Sequence, residues 1–160
     1  MLKRRRYFED LQLGERAESR ALRVELDEML EFARRYDPQF FHADPVAARQ
    51  SRFGAVIASG IYTAALWRRL DHEISADIAW ICGIAWRDVR WPTALRSGDL
   101  VRAQFEVLAK RPSRSDPTRG IVEARYRLVN QHDAPVFECV SVNLVERAPS
   151  AADAAATSRR

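Results

Sequence analysis

The segment from Phe53 to Leu70 constrains the fold more than any other part of the chain. Its sequence, FGAVIASGIYTAALWRRL, is apolar on almost every side until Arg68 and Arg69, and Ser59 supplies an N-cap within it. Its uncharged part is shorter than the roughly 20 residues that cross a bilayer. A helix that is apolar all round must be covered by other elements. The sequence therefore predicts a buried central helix and no membrane-spanning segment.

Four segments after this helix have the residue pattern of strands. They run Ile78 to Trp91, Leu100 to Lys110, Gly120 to Gln131 and Val136 to Arg147, and an earlier short strand is predicted at Ala17 to Glu25. Apolar and charged side chains alternate in the second and third, as expected of a sheet with one buried face. Because the links are short, neighbouring strands are expected to pair antiparallel. The predicted fold class is α+β, with the sheet burying the long helix.

Two helices are predicted upstream of the buried one. Asp27 to Tyr36 has one apolar face, and Pro38 disfavours helical backbone at Asp37, so the helix should end there. Asp44 to Gln50 begins with an N-cap followed by a first-turn proline, which predicts a short helix. The residues between the two helices are expected to form a loop that contains Asp37.

Length and composition indicate one domain. A chain of 160 residues that is 47% hydrophobic can bury one core. Residues 1–147 are predicted to form this domain, and residues 148–160 are predicted to be a disordered tail because they are small, polar and without pattern. The start, MLKRRRY, is followed by charged residues rather than an apolar core, so we expect no export signal and a cytoplasmic location.

Charge and motifs argue against several classes of protein. The 26 basic side chains outnumber the 22 acidic ones only slightly, and the two signs are interleaved, so no nucleic-acid partner is expected. Cys82 and Cys139 have neither zinc-site spacing nor the pattern of a disulfide framework. The sequence contains no glycine-rich phosphate loop, GxSxG turn or metal-spaced cluster. We therefore expect no metal and no cofactor.

Asp37 and His42 are the first candidates for chemistry. They lie in the segment YDPQFFHAD, and Pro38 stiffens the loop between them. Aspartate and histidine are the side chains most easily tuned for proton transfer near neutral pH. The segment predicts an acid/base pair; the alternative is that Asp37 only ends a helix and His42 is an ordinary loop histidine.

Ser59 and Gly60 open the buried helix and are the second candidate site. The first backbone N–H groups of a helix have no partner within it and favour anions. Gly60 would let a carbonyl oxygen approach closely, so that its N–H could stabilise charge developing on that oxygen. The alternative is that Gly60 only relieves crowding where the helix meets the sheet.

Two basic groups are candidates for phosphate binding. The loop from Lys110 to Arg119 carries four cations against one aspartate, and Arg87 and Arg90 stand beside Trp86 and Trp91. A solvated hairpin is the commoner explanation for such a loop, because exposed basic residues need no ligand. The two arginines could instead cover the aromatic rings with their alkyl stems. The sequence leaves both alternatives open.

Five segments occur in the order found in one protein family. They are YFEDLQLGE from Tyr7, DPQFFHAD from Asp37, FGAVIASG from Phe53, W-P and S-G-D between Trp91 and Asp99, and RGIVEARYRLVNQ from Arg119. Through them the chain resembles the MaoC-like dehydratases, relatives of the R-specific enoyl-CoA hydratases, from Tyr7 to about Arg147. The resemblance implies a hotdog fold, in which an antiparallel β-sheet wraps around a long central helix.

The resemblance also implies an activity. Asp37 and His42 would hold one water and add it to the double bond of a 2-enoyl thioester of the acyl-CoA type, or remove it in reverse. Gly60 would donate its N–H to the enolate-like oxygen. Coenzyme A would be part of the substrate, and the protein would be a homodimer. The residues expected to bind the substrate are Gln39, Phe40, Phe41 and Ser59.

The segment departs from the best-known hydratase pattern, Gly-Asp-x-Asn-Pro-aliphatic-His. Tyr36 precedes the aspartate, Gln39 replaces the asparagine, and Phe40 replaces the proline. A related branch carries Asp-Pro-Gln-Pro-Phe-His, which the chain matches except at Phe40. Phe40 and Phe41 could crowd the acyl pocket and favour a short or unusual acyl group. The alternative functions are a hotdog acyl-CoA thioesterase and a non-catalytic protein that binds acyl thioesters.

Overall fold

A computed structural model of the protein describes residues 4–149, so the predicted tail lies outside the described residues except for its first two positions. After a 3-10 turn at Phe8–Asp10, the helices are α1 (Leu26–Tyr36), α2 (Phe40–Ala43), α3 (Pro45–Ala48) and α4 (Gly60–Ser75). The strands are β1 (Arg16–Glu18), β2 (Leu22–Arg23), β3 (Trp80–Arg90), β4 (Leu100–Pro112), β5 (Arg119–Val129) and β6 (Pro135–Glu146).

The sheet is antiparallel and wraps around α4. Its strands run in the order β1, β4, β5, β6, β3, with β2 paired to the start of β4. Alternate side chains of β5 are buried because they face inward, namely Val122, Ala124, Tyr126 and Leu128. The predicted α+β class and hotdog fold are therefore confirmed.

The predicted strand from Ala17 to Glu25 is divided into two short strands. The interruption lies at Ser19, whose Oγ accepts the N–H of Ala103 at 2.9 Å. The N–H of Ser19 still donates to the carbonyl of Ala103. A side chain thus takes the place of one backbone acceptor. The regular pairing with β4 is therefore interrupted between β1 and β2.

Helix α4 begins at the predicted N-cap, Ser59, so the part of the apolar segment before it is not helical, and the helix ends later than its sequence pattern suggests. Ser59 is its N-cap, and the residues before it are extended because Ile57 and Ala58 donate their N–H groups to the carbonyls of Phe41 and Leu95. At the other end, the predicted connection from His72 to Asp77 is helical as far as Ser75. The central helix therefore begins at Gly60 and not at Phe53.

Trp67 lies at the centre of the core. Its side chain is fully buried, and its ring contacts those of Trp86, Tyr126 and Phe137 at centroid distances of 5.3, 4.9 and 5.1 Å. Aromatic rings of this size contribute a large share of the apolar area that a small domain buries. Trp67 therefore joins α4 to the middle of the sheet.

One stripe of α4 is not covered. Ile61 is 61% exposed, and Ala65 and Arg69, which follow it at intervals of four residues, are also exposed. The prediction that the helix is buried on every side is wrong for this stripe, because the sheet covers only the opposite face.

Strand β3 forms one edge of the sheet and pairs only with β6 within residues 4–149. Ile81, Ile84 and Trp86 on this strand are each about half exposed.

In the part of the chain that the structure describes, no helix has the length and apolar character needed to cross a membrane.

Candidate active site

The end of α1 positions the first site residue. Asp37 is the C-cap of this helix, and its N–H still donates to the carbonyl of Ala33 at 2.8 Å. The following residues were expected to form a loop, but Phe40–Ala43 forms one helical turn, α2, with Gln39 as its N-cap. This turn brings the side chain of His42 back towards Asp37.

Asp37 and His42 face each other. The Nε2 atom of His42 lies 3.8 Å from Oδ2 of Asp37, which is too long for a direct hydrogen bond. His42 is buried, and its Nδ1 lies 2.7 Å from the carbonyl oxygen of Ile57. Because a carbonyl can only accept, Nδ1 carries the hydrogen and Nε2 of the neutral ring is an acceptor. The gap therefore lies between two acceptors.

Two side chains hold the carboxylate of Asp37. Gln39 Nε2 donates to Oδ1 at 3.0 Å, and Ser59 Oγ donates to Oδ2 at 2.7 Å. These hydrogen bonds, first that of Gln39 and then that of Ser59, lower the pKa of Asp37 below its usual value, and the nearby His42 adds to the effect. Asp37 is therefore ionised at neutral pH. Gln39 and Ser59, which were expected to bind the substrate, are placed where they orient this carboxylate.

Gly60 begins α4 directly beside the pair. Ser59 caps the helix by accepting the N–H of Ile61 at 3.2 Å, and the N–H of Gly60 has no acceptor within residues 4–149. The carbonyl of Ser59 accepts both the N–H and the hydroxyl of Thr63, at 2.9 and 3.0 Å. These bonds fix the peptide group between Ser59 and Gly60, and so the direction of the Gly60 N–H.

Trp91 is a site residue to which the sequence analysis assigned no role, although it belongs to one of the quoted family segments. Its indole N–H donates to the carbonyl of Gly60 at 2.9 Å. A Cβ at position 60 would lie 3.1 Å from the indole Cε2. A side chain at position 60 would therefore displace the indole by a few tenths of an ångström, so the crowding alternative for Gly60 refers to Trp91. Its signal in the sequence is the Trp-Pro pair that opens the loop after β3.

The predicted aromatic residues form one side of the site. The ring of Phe41 contacts that of His42 at a centroid distance of 4.5 Å and that of Phe53 at 5.4 Å. Phe40 packs edge-on against Phe41 but is half exposed. Phe41 therefore supports the imidazole, whereas Phe40 leaves part of its ring open to a ligand.

The two predicted basic groups are largely engaged within the protein. Lys110 donates to the carbonyls of Phe8 and Leu11, and Arg119 pairs with Asp116. Arg87 on β3 pairs with Glu123 on β5, across the intervening strand β6. These contacts favour the structural alternatives for Lys110, Arg119 and Arg87.

Within residues 4–149, no group of three or more His, Cys, Asp or Glu side chains is arranged to hold a metal ion.

An antiparallel sheet around a long helix defines the hotdog class, and here the N-terminus of that helix lies beside an aspartate and a histidine. A family model described as a MaoC-like domain matches residues 10–130. The chain belongs to this family, which confirms the resemblance seen in the sequence.

Three known proteins show how widely the likeness extends. A MaoC-like dehydratase from Rhodospirillum rubrum is 38% identical, with a TM-score of 0.83 over 89% of this chain and 98% of its own. A monoamine oxidase regulatory protein from Archaeoglobus fulgidus is 25% identical, with a TM-score of 0.85 over 93% and 99%. The protein YdeM of Bacillus subtilis is 30% identical over 88% of this chain and 99% of its own. The likeness thus spans the whole domain, in proteins described as a dehydratase and as a regulator.

Proposed function

We propose that the protein adds water to the double bond of a 2-enoyl thioester, or removes it in the reverse direction, through Asp37 and His42. One observation carries the proposal: Oδ2 of Asp37 and Nε2 of His42 are both acceptors and face each other at 3.8 Å. A water at ordinary distances of about 2.8 Å from both atoms donates its two hydrogens to them. Its lone pairs then point away from the pair, towards a substrate.

In the proposed hydration, the water oxygen forms a bond to C3 of the thioester. Because the pKa of Asp37 is lowered, its carboxylate is a weak base, so we assign the departing proton to Nε2 of His42. The electrons of the double bond move towards the thioester oxygen, where the N–H of Gly60 stabilises the charge. His42 then returns a proton to C2, and the C–H and C–OH bonds of the product are complete.

Asp37 has two tasks in this mechanism. It orients the water, and its negative charge stabilises the imidazolium that His42 becomes. No metal or redox step is required, and we propose that coenzyme A enters only as part of the substrate. We place the reaction in the cytoplasm.

The test is a hydration assay with short 2-enoyl-CoA thioesters in the presence of a thiol reagent. We expect the absorbance of the conjugated thioester to fall without release of free thiol. Thiol release without hydration would instead identify a thioesterase. Binding of the thioesters without turnover would identify a non-catalytic protein.

We further propose a homodimer that forms along β3. An edge strand offers unpaired backbone groups to another chain, and here Ile81, Ile84 and Trp86 add half-exposed apolar surface. Light scattering after size exclusion should give the mass of a dimer, and Ile84→Arg should give that of a monomer. A monomeric wild-type protein would contradict this proposal and leave the catalytic one intact.

A further inference from the structure

Three exposed arginines lie on segments next to the acid/base pair. Arg34 is in the last turn of α1, Arg52 precedes Phe53, and Arg96 follows β3 in the loop before β4. Within residues 4–149 none of these three forms an ion pair. We call these three residues the arginine rim.

Backbone contacts place the rim beside the site. The Nε of Arg34 donates to the carbonyl of Ala43, the residue after His42, at 3.3 Å. The Nη2 of Arg96 donates to the carbonyl of Phe53 at 3.1 Å. Arg52 precedes Phe53 in the chain, so its backbone lies beside the residue that Arg96 contacts.

Phe53 connects this cationic surface to the catalytic pair. Its ring is half exposed and packs on Phe41, which in turn packs on His42. A ligand that reaches His42 past Phe53 therefore passes between the aromatic side of the site and the arginines. Elsewhere, arginines on the outer face of the sheet have carboxylate partners, as Arg16 and Arg125 have in Glu106.

We propose that the arginine rim binds the phosphates of a phosphopantetheine thioester, a step that rests on the proposed function. Guanidinium groups match phosphate oxygens in geometry and charge, and they remain protonated at every physiological pH. The flexible pantetheine arm separates the phosphates from the thioester, so they reach the entrance and not the catalytic pair. Both coenzyme A and an acyl carrier protein supply this phosphate.

The test measures binding rather than turnover, so it stands even if no enoyl substrate is hydrated. The probe is butyryl-CoA, a saturated thioester that offers no double bond, titrated calorimetrically into the wild type and into Arg52→Gln/Arg96→Gln. We expect the double variant to raise Kd about tenfold, because exposed charge pairs contribute modestly one at a time. The effect should shrink in high salt.

Arg111→Gln/Arg114→Gln is the comparison variant, because these two residues belong to the loop that the sequence offered as another candidate for phosphate binding. It also removes two exposed arginines without ion-pair partners in residues 4–149, but these lie in the β4–β5 hairpin. Its Kd should stay within about twofold of the wild type. An equal loss in both double variants would mean general attraction to a basic surface and would overturn the proposal.

Two further probes identify the part of the ligand that is recognised. Butyryl-pantetheine, which lacks phosphates, should bind the wild type and the rim variant equally well; a rim effect that persists with this probe would overturn the proposal. A rim effect with butyryl-CoA but not with a butyryl acyl carrier protein would assign the rim to coenzyme A, and the reverse would assign it to the carrier protein.

Discussion

The hydroxyl of Ser59 both holds the carboxylate of Asp37 and caps helix α4, which makes Ser59→Ala an informative variant. Its Oγ donates to Oδ2 of Asp37 at 2.7 Å and accepts the N–H of Ile61 at 3.2 Å. The substitution removes a hydrogen bond to the catalytic carboxylate and the N-cap of α4. We expect it to reduce stability, raise the pKa of Asp37 and lower activity.

The size of the stability change follows from these two contacts. Loss of a serine N-cap costs about 1 kcal/mol. A hydrogen bond to a charged group contributes about 1.5–3 kcal/mol, which we reduce to about 1 kcal/mol because the side chain of Asp37 is 24% exposed. The unfolding free energy at pH 7 should therefore fall by about 2 kcal/mol.

The two contributions to this stability loss, the N-cap and the hydrogen bond to Asp37, depend differently on pH. The pKa of Asp37 is lowered by folding, so its hydrogen bonds stabilise the folded state above the unfolded value of about 3.9. This stabilisation is lost as the pH falls through the folded pKa. The difference between wild type and Ser59→Ala should therefore shrink from about 2 kcal/mol at pH 7 to about 1 kcal/mol in acid, where only the cap remains.

Urea unfolding at several pH values measures the free energies, and NMR titration of the Asp37 carboxyl carbon measures its pKa. Ser51→Ala is the matched control, because Ser51 Oγ donates to the carbonyl of Ala48 and not to Asp37. An unchanged Asp37 titration in Ser59→Ala, or a stability difference that does not depend on pH, would refute the reasoning.

Three other predictions concern packing and buried ionisable groups. Gly60→Ala should destabilise the protein by about 1–3 kcal/mol in urea unfolding, because its Cβ meets Trp91, and adding Trp91→Leu should relieve part of that loss. Burial raises the pKa of Cys139 to about 12, so its thiol should react with a disulfide reagent only after unfolding; rapid reaction in the native state would contradict this. Burial also raises the pKa of Asp71, so wild-type stability should decline relative to Asp71→Asn as the pH rises from about 3.9 through the folded value, in parallel unfolding series.

The sequence was sufficient to predict the fold because its patterns are local. Alternation along β4 and β5 identifies their buried face, and Pro38 correctly ends α1 before Asp37. The cap at Ser59 correctly marks the beginning of α4, but the apolar residues before it carry no local sign that they are extended. Their conformation depends on hydrogen bonds to the carbonyls of Phe41 and Leu95, which lie in other segments of the chain.

The candidate site shows the same division. The motif identified Asp37, His42 and Gly60, and the structure brings the three together. It could not indicate that Ser59 holds the carboxylate, because that contact joins residues 22 apart in the chain, whereas the contact of Gln39 with Asp37 is local. The position of Trp91 over Gly60 depends on the path of the chain after β3 and has no local signal beyond a Trp-Pro pair.

The central claim is that Asp37 and His42 act as one unit on a single water. A double-mutant cycle in the hydration assay tests it directly, with Asp37→Asn, His42→Ala and both together, and with His72→Ala on the exposed surface of α4 as the control. We expect each single substitution to lower kcat by roughly 10²–10⁴-fold and the double variant to be no slower than the slower single one. Additive losses, or hydration that survives either substitution, would contradict the account.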